Sequence, residues 1–144
     1  MSGSSNLIDP AVVERLLVLA REAAGRAYAP YSNFRVGAAL LFDDGYVAGG
    51  CNVENVSYGL TSCAERNALF RAVSERGAGY RIVAVAVTNL NAAASPPCGA
   101  CRQVMSEFVT ADAVVVFPGD AGIEIRPFAE LLPFSFHLWP NKEE

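Results

Sequence analysis

Three cysteines and a glutamate at two predicted helix starts are the residues best suited to chemistry. Cys63 and Glu65 lie in the stretch TSCAERNALF, and Cys98 and Cys101 lie in PCGACRQ. The C-x-x-C spacing lets two thiolates from one helical turn reach a single ion, and helix N-termini lower thiol pKa values. Alone, this spacing fits a redox dithiol or half of a structural zinc site equally well. Cys63 adds a third thiolate, which favours a metal site.

A closed structural zinc site needs a fourth protein ligand, and the chain offers Cys51 and His137. Cys51 has no C-x-x-C partner and stands at a predicted strand end, which is typical of a small buried hydrophobic residue. His137 lies between Phe136 and Leu138, where a single histidine is more often packed or solvated than a ligand. Three protein ligands and a fourth position open to water predict a catalytic zinc, with one Zn²⁺ per chain.

Glu65 and Arg66 follow Cys63 directly on the first turn of its helix. Glu65 is too close to Cys63 to be an independent ligand, but it is well placed to touch a water on the metal. Zinc lowers the pKa of a bound water to about 7, and a carboxylate can accept and return its proton. Arg66 can offset the negative charge of three thiolates through hydrogen bonds to sulfur. The alternatives are a glutamate favoured by the helix dipole and an arginine that is only a surface charge.

The surrounding sequence predicts the elements that must position these groups. Asp9 as a cap, Pro10 at the first helical position and apolar residues at helical spacing predict a first helix. The connection PGDAG is too short for a crossover, so the last two strands should be antiparallel. The predicted elements are a helix over 10–28, strands over 34–42 and 46–54, a helix over 63–76, a strand over 80–90, a helix starting near 98, and strands over 113–117 and 123–128. Together they predict a single α/β domain over 1–144, a three-layer α-β-α arrangement around a five-stranded mixed sheet.

Composition narrows the classes of partner. The 144 residues are 52% hydrophobic and 18% charged, with a net charge of −4. No basic run is available to neutralise phosphates, so a nucleic-acid partner is not expected. The N-terminus lacks a signal-peptide pattern, and no apolar stretch reaches the roughly 18 residues needed to span a bilayer. We therefore expect a cytoplasmic protein without membrane contact, whose cysteines stay reduced and which binds a small substrate.

The two motifs resemble those of a known family, the short-chain cytidine deaminases, in which all three zinc ligands are cysteines. Zinc deaminases carry His or Cys before x-E and then P-C-x-x-C, and CAERNAL and PCGACRQ match that pattern. The resemblance continues through PYSNFRVGAAL, GCNVENVSYG and ELLPFSF. It implies a cytidine deaminase-like fold and zinc-dependent hydrolysis of cytidine and deoxycytidine to uridine and deoxyuridine. Ammonia would be released, and the reaction would serve pyrimidine salvage.

The resemblance also implies roles for individual residues. It makes Cys63, Cys98 and Cys101 the zinc ligands and Glu65 the proton shuttle. Backbone groups of Ala64 and Pro96 would form hydrogen bonds with the ring and the departing amine, and Phe34 would stack on the base. Asn52 and Glu54 would bind the ribose 3′-hydroxyl; without the resemblance, NVEN fits a solvated hairpin end as well. The substrate-binding set implied in this way is Phe34, Asn52, Glu54, Ala64, Pro96 and Phe136.

The C-terminal tail over 131–144 is rich in apolar and aromatic residues. It could fold back on its own core or cover an interface. Resemblance favours a homotetramer in which the tail lies at a subunit interface and Phe136 reaches the base in a neighbour's pocket. Phe134 departs from the family, whose members often have a small residue there, and it bears on the shape of the pocket rim. The sequence leaves open whether Cys51 and Tyr58 do more than pack.

Three other functions compete with this interpretation. A deaminase of a cytosine nucleoside antibiotic of the blasticidin type shares both zinc motifs, but the NVEN pair favours a plain ribose. A non-catalytic zinc or dithiol module is disfavoured by Glu65 and by the missing fourth ligand. An editor of polynucleotides is disfavoured by the acidic charge balance.

Overall fold

The computed structural model describes residues 7–138. The end of the predicted tail, 139–144, lies outside this range, as do residues 1–6. The elements in chain order are α1 (Pro10–Ala24), β1 (Val36–Phe42), β2 (Val47–Cys51), α2 (Ala64–Arg76), β3 (Ile82–Asn89), α3 (Gly99–Met105), β4 (Val109–Gly119), β5 (Gly122–Pro127) and α4 (Phe128–Leu131). Within 7–138, none of the helices combines the length and the apolar character that crossing a membrane requires.

The five strands form one mixed sheet in the order β2-β1-β3-β4-β5. β3 and β4 are parallel, and the other three pairings are antiparallel. The parallel pair is joined through α3, as a crossover connection requires, whereas β4 and β5 are joined by a tight turn. The predicted fold class and the antiparallel last pair are therefore confirmed.

Helices cover both faces of the sheet because successive residues of its buried strands point to opposite sides. On one face, Ala84 and Ala86 of β3 pack against α1 through Leu16 and Ala20. On the other face, their neighbours Val85 and Val87 pack in a larger core with α2, α3 and α4. Members of this larger core from the three helices are Ala68, Leu69, Ala72, Cys101, Met105 and Phe128. Both predicted helix starts thus lie on the same face.

Several predicted boundaries are wrong, among them the start of β4, which lies at Val109 and not at 113. The first helix ends at Ala24, not near Tyr28, because Gly25 caps it and has poor helix propensity. Tyr28 instead pairs with the chain after β2: its N–H donates to the Asn52 carbonyl at 3.0 Å, and its carbonyl accepts from Glu54 N–H at 2.9 Å. β2 stops at Cys51, beyond which only isolated bridges continue the pairing. The predicted strand over 46–54 is therefore shorter, and its last residues are held by isolated backbone bridges.

Gly50 allows β2 to approach the first turn of α2 closely. A Cβ atom at Gly50 would lie 2.5 Å from the Ala68 backbone nitrogen and 2.6 Å from the Ala64 carbonyl oxygen. Both contacts are with backbone, which cannot rotate away, so a side chain would push α2 off the sheet. The glycine therefore sets where the helix start with Cys63 and Glu65 lies.

We expect Gly50→Ala to destabilise the fold by about 1–3 kcal/mol or more, because overpacking against a helix backbone forces it to move. Gly49→Ala is the matched control in the same strand, since its Cβ would meet only ordinary contacts at 3.8 and 3.9 Å. Thermal unfolding of both variants tests this. Equal melting temperatures for the two would show that α2 does not depend on the close approach.

Candidate active site

Three cysteine sulfur atoms meet where α2 and α3 begin. Cys63 caps α2 and Cys98 caps α3, and Cys101 lies one turn into α3. The Sγ atoms are 3.7 Å apart for Cys63 and Cys98 and 3.4 Å apart for Cys98 and Cys101, and all three lie within 4.8 Å of one another. Sulfur atoms that share a tetrahedral zinc at about 2.3 Å stand about 3.8 Å apart. The donor set and its spacing therefore fit a zinc ion.

The local charges favour a thiolate in this cluster. Hydrogen bonding from the Cys101 thiol and from Arg66 lowers the pKa of Cys63 to about 5, against the opposing effect of burial. The Arg66 guanidinium donates from one Nη to Cys63 Sγ at 3.3 Å. The hydrogen bond with Cys63 and burial raise the pKa of the Cys101 thiol, which keeps its proton. A divalent cation would displace that proton, since metal binding requires deprotonated thiols.

Glu65 is a buried carboxyl beside the cluster. Its residue is only 3% exposed, although it lies on the first turn of α2. Burial raises the pKa of Glu65 to about 7, and the nearby Cys63 charge adds to that effect. A carboxyl with a pKa near 7 can accept a proton and release it again at neutral pH. The position therefore suits a general acid and base.

A pocket of about 210 Å³ opens beside the cluster. This is smaller than an ordinary ligand cavity of about 300–1,000 Å³, and it suits one small ring with further groups at the mouth. Most of its lining surface is apolar, and Glu65 is the one residue in the lining that is an Asp, Glu, Lys or Arg. The lining residues are Phe34, Val36, Asn52, Thr61, Cys63, Ala64, Glu65, Val87, Ser95, Pro96 and Cys98.

The structure brings most residues implied by the resemblance to this pocket but places Glu54 beside it. Asn52 lines the pocket, with Oδ1 accepting from Val36 N–H at 2.9 Å and Nδ2 donating to the Phe34 carbonyl at 2.8 Å. Glu54 is buried and accepts hydrogen bonds from Tyr31 N–H at 3.0 Å and from the N–H and hydroxyl of Ser32. The hydrogen bond from the Ser32 hydroxyl, together with those from the two backbone N–H groups, lowers the pKa of Glu54. Its carboxylate therefore holds the loop before Phe34 in the isolated chain.

Neither candidate fourth ligand joins the sulfur cluster. Within residues 7–138, the metal-competent group consists of the three cysteines alone. Cys51 is half-buried at the end of β2. His137 lines a different cleft with Arg81 and Glu107, and its Nδ1 lies 3.3 Å from the Ser135 carbonyl oxygen. An open fourth position is the arrangement of a catalytic zinc site.

Among the described residues, Phe134 and Phe136 of the tail and Tyr58 in the loop after β2 are exposed. Phe134 is 95% exposed and Phe136 is 68% exposed, and neither lines the pocket of its own chain. Tyr58 is exposed as well, with its ring edge-on to Tyr31 at 6.1 Å between centroids. The Phe136 backbone is tied to α3, because the Gln103 amide donates to its carbonyl at 2.7 Å and accepts from its N–H at 3.2 Å.

Sequence reasoning missed two polar residues of the pocket, Thr61 and Ser95. Thr61 precedes Cys63 by two residues, and Ser95 precedes Cys98 by three. A polar residue just before each helix start was the available signal, because the segment that leads into a cap must border the same pocket. Val36 and Val87 carry no such signal, since they lie at strand positions that differ from neighbouring core positions only in tertiary context.

Comparison with known proteins identifies the family of this chain. Residues 11–117 match the model of the cytidine and deoxycytidylate deaminase zinc-binding region. This chain belongs to that family. A cytidine deaminase of Halalkalibacterium halodurans is 51% identical over 125 residues, which cover 85% of this chain and 92% of that protein. One of Sporosarcina psychrophila is 46% identical over 125 residues, which cover 86% of this chain and 90% of the relative.

Solved structures of family members share the fold as well as the sequence. The crystal structure of cytidine deaminase from Mycobacterium tuberculosis has a TM-score of 0.76 at 42% identity, covering 87% of this chain and 97% of that one. The one from Burkholderia pseudomallei has a TM-score of 0.76 at 46% identity, covering 85% and 98%. The zinc-binding region of the family contains the three-cysteine cluster, and zinc is the cofactor of this family member.

Proposed function

We propose that this chain hydrolyses cytidine and deoxycytidine to uridine and deoxyuridine with release of ammonia. The observation that carries the proposal is the position of Glu65, a buried carboxyl next to three thiols that can hold zinc, inside a pocket for a small ring. Relatives that cover most of the chain bear the name cytidine deaminase. Pyrimidine salvage in the cytoplasm is the cellular role that we propose for this reaction.

The proposed mechanism assigns zinc binding to Cys63, Cys98 and Cys101. Bound there, zinc supplies Lewis-acid activation of water at neutral pH. Glu65 would hold and move the protons: it would take one from the attacking water and deliver it to ring nitrogen N3 as the water oxygen bonds C4. It would then transfer the remaining proton of that oxygen to the amino group, so that the C4–N bond breaks and ammonia leaves. A carboxyl with its pKa raised to about 7 can act in both directions. Arg66 keeps the thiolate charge balanced through its hydrogen bond to Cys63.

Backbone and aromatic groups of the pocket orient the ring in this proposal. Ala64 is the first residue of α2, so its N–H has no intrahelical acceptor and is free to bond the base. The Pro96 carbonyl, on the opposite wall, accepts from the amino group. Phe34 stacks on the pyrimidine, and stacking on an aromatic side chain is worth roughly 1–3 kcal/mol. The apolar lining excludes competing water.

The charges of the pocket favour a nucleoside over its 5′-phosphate. The lining contains no lysine or arginine, and its ionisable side chains, those of Glu65 and the cysteines, can carry only negative charge. The nearby Arg35 guanidinium donates to the Ala27 carbonyl at 2.9 Å, which directs it to backbone. Deoxycytidine should therefore be a much better substrate than deoxycytidylate, whose phosphate would meet no cation among these lining groups.

The direct test is loss of cytidine absorbance and release of ammonia when the purified zinc-loaded protein is added. Cytidine, deoxycytidine, deoxycytidylate and blasticidin S are compared at equal concentration. Turnover of the first two supports the proposal, whereas a flat trace with one zinc per chain would refute it. Preference for blasticidin S would favour the antibiotic-deaminase alternative, and preference for deoxycytidylate would contradict the charge argument.

Glu54 is proposed to bind the ribose 3′-hydroxyl together with Asn52. We expect Glu54→Ala to raise the KM for cytidine strongly, and that for 2′,3′-dideoxycytidine much less, because only cytidine presents a 3′-hydroxyl. Glu54 also holds the loop at Ser32, and loss of that support should affect both substrates alike. The difference between the two KM changes therefore isolates the sugar contact. Equal changes would leave Glu54 with the loop role alone.

We further propose a single domain that assembles as a homotetramer, with the tail over 131–144 at a subunit interface. The support is the exposed Phe136 side chain, which does not line the pocket of its own chain, on a backbone that Gln103 holds against α3. Phe136→Ala should raise the KM for cytidine and leave zinc content unchanged. Sedimentation at assay concentration tests assembly, and an active monomer of 15.3 kDa would contradict the shared site.

A further inference from the structure

Asn91 ties the backbone on both sides of Phe34 to the loop that follows β3. Its Oδ1 accepts a hydrogen bond from Arg35 N–H at 3.1 Å, and its Nδ2 donates to the Asn33 carbonyl at 2.9 Å. Asn33 has a φ of 59°, in the left-handed region that asparagine tolerates better than most residues. The chain therefore bends immediately before Phe34, and the Asn91 amide spans the bend.

The peptide groups of Phe34 are held by other side chains. Its N–H donates to Ser32 Oγ at 3.0 Å, and its carbonyl accepts from Asn52 Nδ2 at 2.8 Å. Asn52 connects this segment to the end of β2, whereas Asn91 connects it to the segment after β3. Asn91 is thus the side chain that links the Phe34 segment to the segment after β3, beside one backbone hydrogen bond from Leu90 N–H to the Arg35 carbonyl at 3.0 Å.

The place of Asn91 is set in turn by Asn89, the last residue of β3, which is 4% exposed. Asn89 Oδ1 accepts from Asn91 N–H at 2.9 Å and from Ala93 N–H at 3.1 Å. Its Nδ2 donates to the Ala93 carbonyl and to Ser95 Oγ, both at 2.8 Å. Ser95 lines the pocket three residues before Cys98. One hydrogen-bond network, through Asn91 and Asn89, therefore connects the segment around Phe34 to Ser95, which precedes the cysteines of α3.

We propose that Asn91 is a positioning residue for Phe34 and thereby sets the affinity of the pocket for the pyrimidine ring. This inference rests on the proposed function, in which Phe34 stacks on the base. Asn91 is exposed and does not line the pocket, so it acts on substrate through the segment that it holds. It has no contact with the three cysteines or Glu65 among its hydrogen bonds, and zinc binding should not depend on it.

The test is a kinetic comparison of Asn91→Ala with the wild-type zinc enzyme on cytidine. Loss of an aromatic stack weakens binding by about 5- to 150-fold. A ring that is displaced but still present should weaken binding by a factor in the lower part of that range. We expect the KM to rise about 5- to 10-fold, with kcat within about twofold and one zinc per chain. Asn91→Asp keeps the acceptor for Arg35 and loses the donor to Asn33, so its KM should lie in between.

A double-mutant cycle separates positioning of Phe34 from general loop support. If Asn91 acts through Phe34, the variant Phe34→Ala/Asn91→Ala has the same KM as Phe34→Ala alone. Asp43→Ala is the matched control, because Asp43 accepts from Arg81 N–H at 3.3 Å and joins β1 to β3 at the opposite end of the same pairing. Its KM should not change.

Additive effects in the cycle, or an unchanged KM in both Asn91 variants, would overturn the inference. A fall in kcat together with lost zinc would do the same, because it would place Asn91 in the support of the metal cluster. A wild-type chain without turnover of cytidine would instead remove the proposed function and this inference with it. The two failures are therefore distinguishable.

Discussion

Glu65→Gln is expected to lower kcat for cytidine by a factor of about 10²–10⁴ while one zinc per chain is retained. Glutamine has the shape of the glutamate side chain but cannot take up and return a proton, and general acid and base groups contribute about this much to rate. The carboxyl is buried beside the sulfur cluster without belonging to it, so the ligands should stay in place. Steady-state kinetics and metal analysis of the same preparation give both quantities.

Glu75→Gln is the matched control for this substitution. Glu75 lies in the last part of the same helix and pairs with Arg71 at 3.4 Å on the surface, where such pairs contribute little to stability. Its kcat should equal that of the wild type. A Glu65→Gln enzyme with wild-type turnover would remove Glu65 from the mechanism, and one that loses zinc would make it a determinant of metal binding.

Cys98→Ser is expected to abolish stoichiometric zinc binding and to reduce activity by at least a factor of about 10³. A serine hydroxyl is a poor ligand beside two thiolates, and metal affinity depends on every deprotonated donor of a three-ligand site. Cys98 is the most suitable of the three for substitution because it is exposed, whereas Cys101 is fully buried and a hydroxyl there would also cost stability.

Zinc content and thermal unfolding measure this effect independently of activity. Metal that binds only the folded chain raises its stability, so a chelator should lower the melting temperature of the wild type and leave Cys98→Ser unchanged. Cys51→Ser is the control, since this cysteine lies outside the sulfur cluster. It should keep both zinc and turnover. Full zinc in Cys98→Ser, or its loss from Cys51→Ser, would contradict the assignment of ligands.

Local sequence signals were sufficient to predict the fold class and a metal site, and the family resemblance of the motifs added the reaction. Apolar periodicity, the cap at Asp9 and the short PGDAG connection depend only on neighbouring residues, and the sheet and its last antiparallel pair follow from them. The spacing from Cys98 to Cys101 and from Cys63 to Glu65 is likewise a property of single helical turns. Such patterns are short, so the backbone geometry of one turn fixes how its own side chains are spaced.

Exact boundaries and the use of individual polar groups were less predictable. Tyr28 fits the helical spacing, yet its backbone pairs with the chain beyond β2, a contact 24 residues away that no local pattern reveals. The carboxylate of Glu54 was predicted to face a sugar, and in the isolated chain it also holds the loop at Ser32. Helix propensity is a weak constraint on a residue whose backbone or side chain can form a hydrogen bond with a distant partner.

The sequence by itself determined which atoms could do the chemistry: three thiols, one carboxyl and one guanidinium at helix starts. Only the tertiary structure decided that Cys63 meets Cys98 across 35 residues, because β1, β3 and the helices on one face must first pack. It also decided that Glu65 is buried, which moves its pKa to about 7, and that Gly50 gives α2 its place. Burial and contact across the sheet arise from the packing of distant segments, whereas the spacing of residues in a motif is a property of the sequence itself.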